Sequence, residues 1–505
     1  MSAQETTEVE LKYDLDTNAS VPDLTVLPAV QSLSGPVIEH LDATYYDTDA
    51  LDLAGNKITL RRREGGHDEG WHLKRPGIGT PLGRREMHMP LQTAADPFAE
   101  VVVPAELTDP VQVHIRGRRL APIATVSTIR RITELHDGEG AVLAVLCEDS
   151  VAAQSLLPGG VAQSWREWEL ELVTGDTDLL YAADKVLRAN GARTASSASK
   201  LARAIGTTPT THGGSDGQHP KKSILGKKAT ALELVVAELA DHRDHLIAHD
   251  PQVRCNAPDA VHQMRVATRR ARSVLRSFPK VLRGNSIEEL EGELKYLAGI
   301  LGDARDAEVQ LERNRQLLKG EAASSHVVQA LIDGQVETQR ITLAAATDFL
   351  HSKRYFDLLD ELDRTIAEPQ PGDDAEAPAR EIFDKAVAHS TKRVRRAQKQ
   401  ADAMTRGSAD WVEHLHTVRK RAKQLRYTID SGERLGTDKY RKLGKRAKRA
   451  QSALGDFHDA VISRSHIAVL AMGSGVTVAD AYVYGRLDAR EEAAAARDLA
   501  SYRPV

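Results

Sequence analysis

The feature that most constrains the fold is a change of hydrophobic period on either side of Thr207–Pro220. This segment is rich in Thr, Gly, Ser and Pro and has no apolar periodicity, which is typical of a flexible linker. Before it, alternating runs such as Val9–Tyr13 and Ile58–Arg63 are separated by Gly, Pro and Asp, as in an antiparallel sheet or barrel. After it, long stretches follow the 3.6-residue period of helices.

These patterns predict an α+β protein, because a chain of 505 residues is too long for one ordinary core. We predict a β-rich domain over residues 1–206, a linker over 207–220 and an all-helical domain over 221–505. A shorter break at Pro369–Pro378 divides the helical domain into repeats at about 221–368 and 379–505.

Two motifs recur in the same order within the helical part. A His-x-x-Arg motif begins at His262 and again at His416, an offset of 154 residues. A Leu-Gly-Asp motif begins at Leu301 and again at Leu454, an offset of 153 residues. Two motifs with nearly the same offset predict a duplicated helical bundle.

The charge of the chain changes sign between its two parts. Residues 1–220 carry 20 Lys and Arg against 31 Asp and Glu, and residues 221–505 carry 48 against 41. This basic excess favours a polyanionic partner for the helical part. We see no aromatic platform among the basic residues, which disfavours nucleic acid. The two cysteines lie far apart, and we find neither a signal peptide nor an apolar run of membrane-spanning length, so we expect a cytoplasmic protein.

Acidic residues share a strand face at two places in the β-rich domain. Alternate strand residues point to the same side, so Glu8, Glu10 and Lys12 lie together. Every second residue from Glu167 to Glu171 is also a glutamate. Adjacent carboxylates repel each other unless a partner such as a divalent cation compensates them.

Basic residues occupy the intervening strands at the same alternation. They are Arg61 and Arg63, His72 and Lys74, Arg84 with Glu86, one of Arg130 and Arg131, and finally Lys200. A single pair of this kind usually lies on the solvent-exposed face of an edge strand. The joint occurrence favours a barrel that binds an extended polyanion with its metal.

The β-rich part resembles the CYTH, or triphosphate tunnel metalloenzyme, family over about residues 5–206. The resemblance rests on Glu8-x-Glu10-x-Lys12, on Thr44-Tyr-Tyr-Asp-Thr48, on Leu60-Arg-Arg-Arg63 and on Trp71-His-Leu-Lys74. It implies an eight-stranded antiparallel tunnel that acts on triphosphates with Mg²⁺ or Mn²⁺.

The resemblance also implies residue roles. The catalytic group would be Glu8, Glu10 and Lys12, and the metal ligands would be Glu8, Glu10, Asp149, Glu169 and Glu171. The triphosphate would be held by Lys12, Arg61, Arg63, Lys74, Arg84, Glu86, Arg130 or Arg131, and Lys200.

Basic side chains form stripes on two predicted helices. Residues three and four apart lie on one helix face. The first stripe is His262, Arg265, Arg269, Arg272 and Arg276, the second is His416, Arg419, Lys423 and Arg426, and a further basic row includes Lys445 and Arg449. One such stripe is usually solvated, but its duplication favours anion binding.

With the Leu-Gly-Asp motifs, the helical part resembles the CHAD family over about residues 222–505. This resemblance implies a pseudo-symmetric helical bundle that binds inorganic polyphosphate through these residues. Asp306 and Asp459 would orient the basic side chains or cap helices.

We therefore predict a protein that hydrolyses inorganic triphosphate or short polyphosphate, tethered to polyphosphate and able to associate with polyphosphate granules. One alternative is a polyphosphate-binding protein without turnover. Another is a thiamine triphosphatase or class IV adenylate cyclase. Few aromatics are available to stack a base, which favours inorganic triphosphate.

Overall fold

The computed structural model describes residues 4–16, 19–77, 83–91, 101–206 and 224–505. The chain divides into two compact units, Met1–Pro220 and Lys221–Val505. The predicted linker at 207–220 lies outside the described residues.

The described residues of the first unit form ten strands and five α-helices. The strands are β1 (Gln4–Asp14), β2 (Ser32–Leu33), β3 (Val37–Asp47), β4 (Thr59–Glu64), β5 (Gly70–Pro76), β6 (Gly83–Pro90), β7 (Ala121–His136), β8 (Val142–Ser155), β9 (Ala162–Leu172) and β10 (Arg193–Thr194). The helices are α1 (Asp52–Gly55), α2 (Ala105–Thr108), α3 (Gln112–Ile115), α4 (Thr177–Ala189) and α5 (Lys200–Ile205).

Eight of the strands form a closed antiparallel barrel. Their order around the barrel is β1, β6, β5, β4, β3, β7, β8 and β9, and β9 pairs with β1 to close the ring. Strands β2 and β10 pair with β7 and β1 respectively, outside this ring. The predicted eight-stranded antiparallel tunnel is confirmed.

Apolar residues cover the outside of the barrel where helices pack on it. Tyr13 and Trp168 are almost fully buried, in a cluster with Leu180 and Leu187 of α4. A second outer cluster joins Leu60 of β4 to Leu107 of α2. The alternate residues of the same strands therefore face inward, and these are the predicted polar positions.

Helix α5 packs against inner-face residues of the barrel. Leu201 and Ala204 contact the cluster that contains Tyr45 and Trp165. Ser199 caps this helix by accepting a hydrogen bond from the Ala202 amide at 3.1 Å. The packing and the cap together fix Lys200, the first residue of the helix.

The second unit is helical, as predicted. Its helices are α6 (Ala231–Arg254), α7 (Ala260–Ser277), α8 (Asn285–Leu318), α9 (Ser325–Val328), α10 (Gly334–Leu350), α11 (Lys353–Ala367), α12 (Ala379–Asp402), α13 (Ala409–Asp430), α14 (Arg441–Ala471) and α15 (Val478–Ser501). In the described part of the chain, no helix has both the length and the apolar character needed to cross a membrane.

The duplicated motifs occupy matching helices. Helices α7 and α13 carry the His-x-x-Arg motifs, and the long helices α8 and α14 carry the Leu-Gly-Asp motifs. Each pair packs together, with Met264 of α7 and Leu301 of α8 fully buried. The basic stripes lie beside the Leu-Gly-Asp segments for this reason.

Candidate functional site

Carboxylates and cations meet on the inner face of the barrel because of the strand register. Glu10 lies opposite Glu171, and Lys12 lies opposite Glu169, where β1 pairs with β9. Arg130 of β7 lies opposite Asp149 of β8. The register thus places one like-charged pair and two oppositely charged pairs side by side on the tunnel wall.

Lys200 sits among three buried carboxylates. Its Nζ atom lies 2.9 Å from Asp149, 2.5 Å from Glu167 and 2.8 Å from Glu169. Oxygens of these three carboxylates lie within 4.8 Å of one another, so the group could hold a metal ion. Burial raises the pKa of Glu169, but Lys12, Lys200 and Arg130 together hold this pKa well below its usual value. Lys200 and Arg130 thus already neutralise much of this acidic group.

Of the two consecutive arginines on β7, Arg130 is the one that faces the tunnel. It donates two hydrogen bonds to Asp149, at 2.8 and 2.7 Å, and one to Glu169 at 2.5 Å. The Arg131 side chain is 53% exposed and lies 3.6 Å from Glu148 on the outer face. The structure corrects the inclusion of Arg131 among the tunnel residues, because its position in the strand pleat points it outward.

A second acidic group on β1 and β9 has fewer cationic partners. Lys74 lies 2.6 Å from Glu8, and Lys12 lies 3.1 Å from one oxygen of Glu10. The other Glu10 oxygen, Oε1, is buried and accepts no hydrogen bond from the described residues. Burial, with the charges of Glu8 and Glu10, raises the pKa of Glu171 to about 7. A cation would compensate this group, whose carboxylate oxygens are the ligands that Mg²⁺ and Mn²⁺ prefer.

The arginines of β4 differ in their partners. Arg61 contacts the Tyr45 hydroxyl at 3.5 Å, and in the described part of the chain no carboxylate lies within 4.0 Å of it. Arg63 is buried and forms an ion pair with Asp68, in the turn after β4.

The remaining predicted residues lie on β5 and β6. Glu86 accepts a hydrogen bond from His72 at 2.7 Å and lies 3.7 Å from Lys74. Arg84 instead donates to the Lys57 carbonyl oxygen at 3.3 Å. Glu86 therefore contacts two neighbours, whereas the Arg84 guanidinium contacts a backbone carbonyl oxygen, although Arg84 lies opposite Glu8 where β1 pairs with β6.

The sequence-based list omitted two side chains that contact this site. Glu167 shares the strand face of Glu169, so the alternation alone could have added it to the acidic group. Asp68 lies in a turn, where no secondary-structure period links it to Arg63, so its contact with Arg63 could not be predicted from the sequence.

In the helical unit, basic residues of both repeats converge on one groove. Lys423 is surrounded by Arg265, Arg269, Arg419 and Arg426, and burial followed by these charges lowers the pKa of Lys423 to about 6. In the described residues, no carboxylate lies within 4.0 Å of Lys423 or Arg419. Arg419 and Lys423 thus lack a paired carboxylate among the described residues, whereas Arg265 is paired with Asp306.

Several groove donors are buried without a hydrogen-bond partner. Among the described residues these include Nε of Arg265, Nε of Arg419 and Nε of Arg426, and the buried Nδ1 atom of His416 also has no hydrogen-bond partner. The His416 ring lies 4.2 Å from that of His458, measured between centroids. Buried donors usually have partners, so the unmet donors fit an anionic ligand.

The Leu-Gly-Asp motifs lie against the groove arginines. A Cβ atom added at Gly302 would lie 3.5 Å from Arg265, and one at Gly455 would lie 3.2 Å from Nε of Arg419. Asp306 lies 3.0 Å from Arg265, consistent with an orienting contact. The motif glycines therefore leave room for the guanidinium groups.

Other predicted groove residues lie at its margins. Arg272 and Arg276 lie 3.3 and 3.6 Å from Glu291. Burial, together with the charge of Arg305, lowers the pKa of His262. Lys445 and Arg449 of α14 are exposed.

The fold and these two sites define a protein class: an antiparallel tunnel with a charged interior, joined in one chain to a helical domain with duplicated basic motifs. The chain belongs to the CYTH–CHAD family. The family model for the CYTH domain matches residues 6–205, and the model for the CHAD domain matches residues 237–468. CYTH proteins are metal-dependent triphosphatases or cyclases.

One curated relative and two solved structures are similar to this chain. Uncharacterized protein Rv2226 of Mycobacterium tuberculosis (strain ATCC 25618 / H37Rv) is 37% identical over 502 residues, covering 96% of this chain and 92% of the relative. PptA from Streptomyces chartreusis is similar with a TM-score of 0.45 and 16% identity, covering 54% of this chain and 98% of PptA. The CHAD domain from Ricinus communis gives a TM-score of 0.41 and 23% identity, covering 56% of this chain and 96% of that domain.

Proposed function

We propose that the tunnel hydrolyses inorganic triphosphate or short polyphosphate with Mg²⁺ or Mn²⁺, and that the helical unit binds polyphosphate. The observation that carries the proposal is the inner face of the barrel, where partly or fully buried carboxylates of β1 and β9 meet partly or fully buried cations of β4, β5 and β7. This arrangement suits a phosphate chain together with its cation.

The acidic group formed by Glu8, Glu10 and Glu171 would hold the ion. The buried Oε1 atom of Glu10 and the raised pKa of Glu171 support this choice. Asp149, Glu167 and Glu169 serve better to hold Lys200 and Arg130, with which they are already paired. The ion, when bound, would neutralise phosphate charge and polarise the bond that is cut.

The chain's own cations would bind the substrate by exchanging partners. Arg61 has no carboxylate within 4.0 Å among the described residues and could bind phosphate directly. Lys12, Lys74 and Arg130 would each lose a carboxylate contact and gain contacts with phosphate oxygens. In hydrolysis, a water oxygen forms a bond to the terminal phosphorus while the bridging P–O bond breaks. The electron pair of that bond leaves with pyrophosphate, whose charge these cations stabilise. The carboxylates near the ion would orient the water and accept its proton.

The test of turnover is phosphate release by the full chain from inorganic triphosphate, with each metal and in EDTA. We expect metal-dependent release that Glu10→Gln reduces at least about 100-fold. Glu139→Gln, on the exposed turn between β7 and β8, is the matched control and is expected to retain activity. ATP and thiamine triphosphate are compared as substrates. Absence of phosphate release with every metal, or faster turnover of ATP or thiamine triphosphate than of inorganic triphosphate, would contradict the proposal.

The helical unit would supply the polyphosphate tether. Its support is the set of unpaired donors on Arg265, Arg419 and Arg426. A tether raises the local concentration of phosphate chains near the tunnel. We expect Arg419→Gln to weaken retention of long-chain polyphosphate, whereas Arg340→Gln, an exposed residue of α10, leaves it unchanged. Equal retention by both variants would argue against this groove.

A further inference from the structure

The turn between β4 and β5 follows directly after Arg63 and is held against β3. Gly65 has a φ of 80°, and a Cβ atom there would lie 2.2 Å from the His40 carbonyl oxygen of β3. The Glu39 carboxylate accepts a hydrogen bond from the His67 amide at 3.2 Å and contacts the His67 ring at 3.0 Å. Close backbone approach and these contacts hold the turn against β3.

The turn directs Asp68 back onto Arg63. The Asp68 carboxylate forms an ion pair with this arginine, which is only 4% exposed. The Asp68 carbonyl oxygen accepts a hydrogen bond from Arg63 at 3.3 Å and lies 3.0 Å from Nε2 of His72. Burial opposes ionisation of Asp68, but the charge of Arg63 nonetheless lowers its pKa. Asp68 is thus an internal anion held on a cation of the proposed phosphate site.

Arg61, two residues earlier on the same strand face, shows the contrast. It contacts the Tyr45 hydroxyl and has no carboxylate within 4.0 Å among the described residues. A phosphate chain that extends along β4 would therefore meet a free arginine first and a carboxylate-bound arginine next. At Arg63, the phosphate chain would have to compete with the Asp68 carboxylate for the guanidinium group.

We propose that Asp68 limits the length of the phosphate chain that the tunnel accepts, by occupying Arg63 with the protein's own carboxylate. This inference rests on the proposed function. Like charges in a site of low dielectric repel strongly, so an additional phosphoryl group is disfavoured there. Removing the charge of Asp68 frees Arg63 to bind that group.

The experiment compares Asp68→Asn with Glu69→Gln in the full chain. Glu69 is the next residue of the same turn and is exposed, so its variant makes the same charge change without touching Arg63. Phosphate release is measured with inorganic triphosphate and with linear tetraphosphate, and the ratio of their kcat/KM values gives the chain-length preference. Thermal unfolding of each variant confirms that it is folded.

We expect Asp68→Asn to shift the ratio toward tetraphosphate by about tenfold, the effect of one charge-assisted contact, and Glu69→Gln to leave it unchanged. Asp68→Glu should retain most of the wild-type preference. An unchanged ratio in an active Asp68→Asn variant would overturn this inference without affecting the proposed function. Loss of triphosphate turnover with a raised KM would overturn it as well, because Asp68 would then be a positioning residue. A wild-type chain without any phosphate release would instead refute the proposed function.

Discussion

Replacing Lys423 with arginine is expected to remove most of the pH dependence of polyphosphate binding. Lys423 lies among Arg265, Arg269 and Arg419, and burial with these charges lowers its pKa to about 6. The corresponding residue of the first repeat is Arg269, which keeps its charge. The two halves of the groove therefore differ in how their charge responds to pH.

The magnitude follows from the fraction of Lys423 that is charged. With a pKa of about 6, roughly half of the side chain is protonated at pH 6 and only about 1% at pH 8. Polyphosphate binds the charged form, so binding takes up a proton at pH 8. We expect the affinity of the wild-type chain to rise up to about 50-fold from pH 8 to pH 6.

The assay is the anisotropy of fluorescently labelled long-chain polyphosphate at fixed ionic strength across pH 6 to 8. Lys423→Arg should bind with nearly constant affinity and exceed the wild type most at pH 8, since arginine stays protonated. Lys353→Arg, whose side chain is 86% exposed, is the control and should behave as the wild type. An equal pH slope for wild type and Lys423→Arg would refute the reasoning.

Three further predictions concern the tunnel and the groove. The pKa of Glu171 is raised to about 7, so the free energy of unfolding of the metal-free protein falls by up to about 3 kcal/mol, before solvent screening, as pH rises from about 4.5 to about 7. Thermal unfolding in EDTA should therefore show Glu171→Gln more stable than wild type at pH 8 and similar at pH 5; lower stability at pH 8 would contradict this. Gly455→Ala should weaken polyphosphate binding about threefold or more, because the added Cβ atom displaces Arg419. Gly299→Ala is the control and should bind as the wild type, since a Cβ atom there meets nothing within 4 Å. Equal affinities of the two variants in anisotropy titrations would contradict this role of the motif. EDTA should abolish triphosphate turnover but leave polyphosphate retention unchanged, and loss of both would show that the groove also needs a metal.

Strand alternation predicted which side chains of the tunnel share a face, but not their partners. Glu8, Glu10 and Lys12 do point inward, opposite the apolar residues that pack under α4. Alternation could not choose between Arg130 and Arg131, because consecutive arginines occupy both faces and only the barrel register decides between them. Partners across the barrel depend on closure, which brings together residues more than 150 positions apart.

The groove could be predicted from the repeated motifs because each stripe follows a helical period. The depressed pKa of Lys423 could not be predicted, since it arises where residues of α7 and α13 meet. The role of the Leu-Gly-Asp glycines was also hidden, because a glycine within a helix carries no signal of what lies against it. Contacts between distant segments, rather than local pattern, determine these properties.

The two sites differ in how the charges of their basic side chains are compensated. In the tunnel, Lys12, Lys74 and Lys200 are each paired with carboxylates, whereas the acidic group of Glu8, Glu10 and Glu171 has fewer cationic partners. A phosphate chain that drew Lys12 and Lys74 away would leave those carboxylates with unpaired charge, and a cation held by Glu8, Glu10 and Glu171 would compensate it. Triphosphate and metal are therefore expected to bind together. In the groove, Arg419 and Lys423 have no carboxylate within 4.0 Å among the described residues, so a polyanion can bind there without a compensating cation.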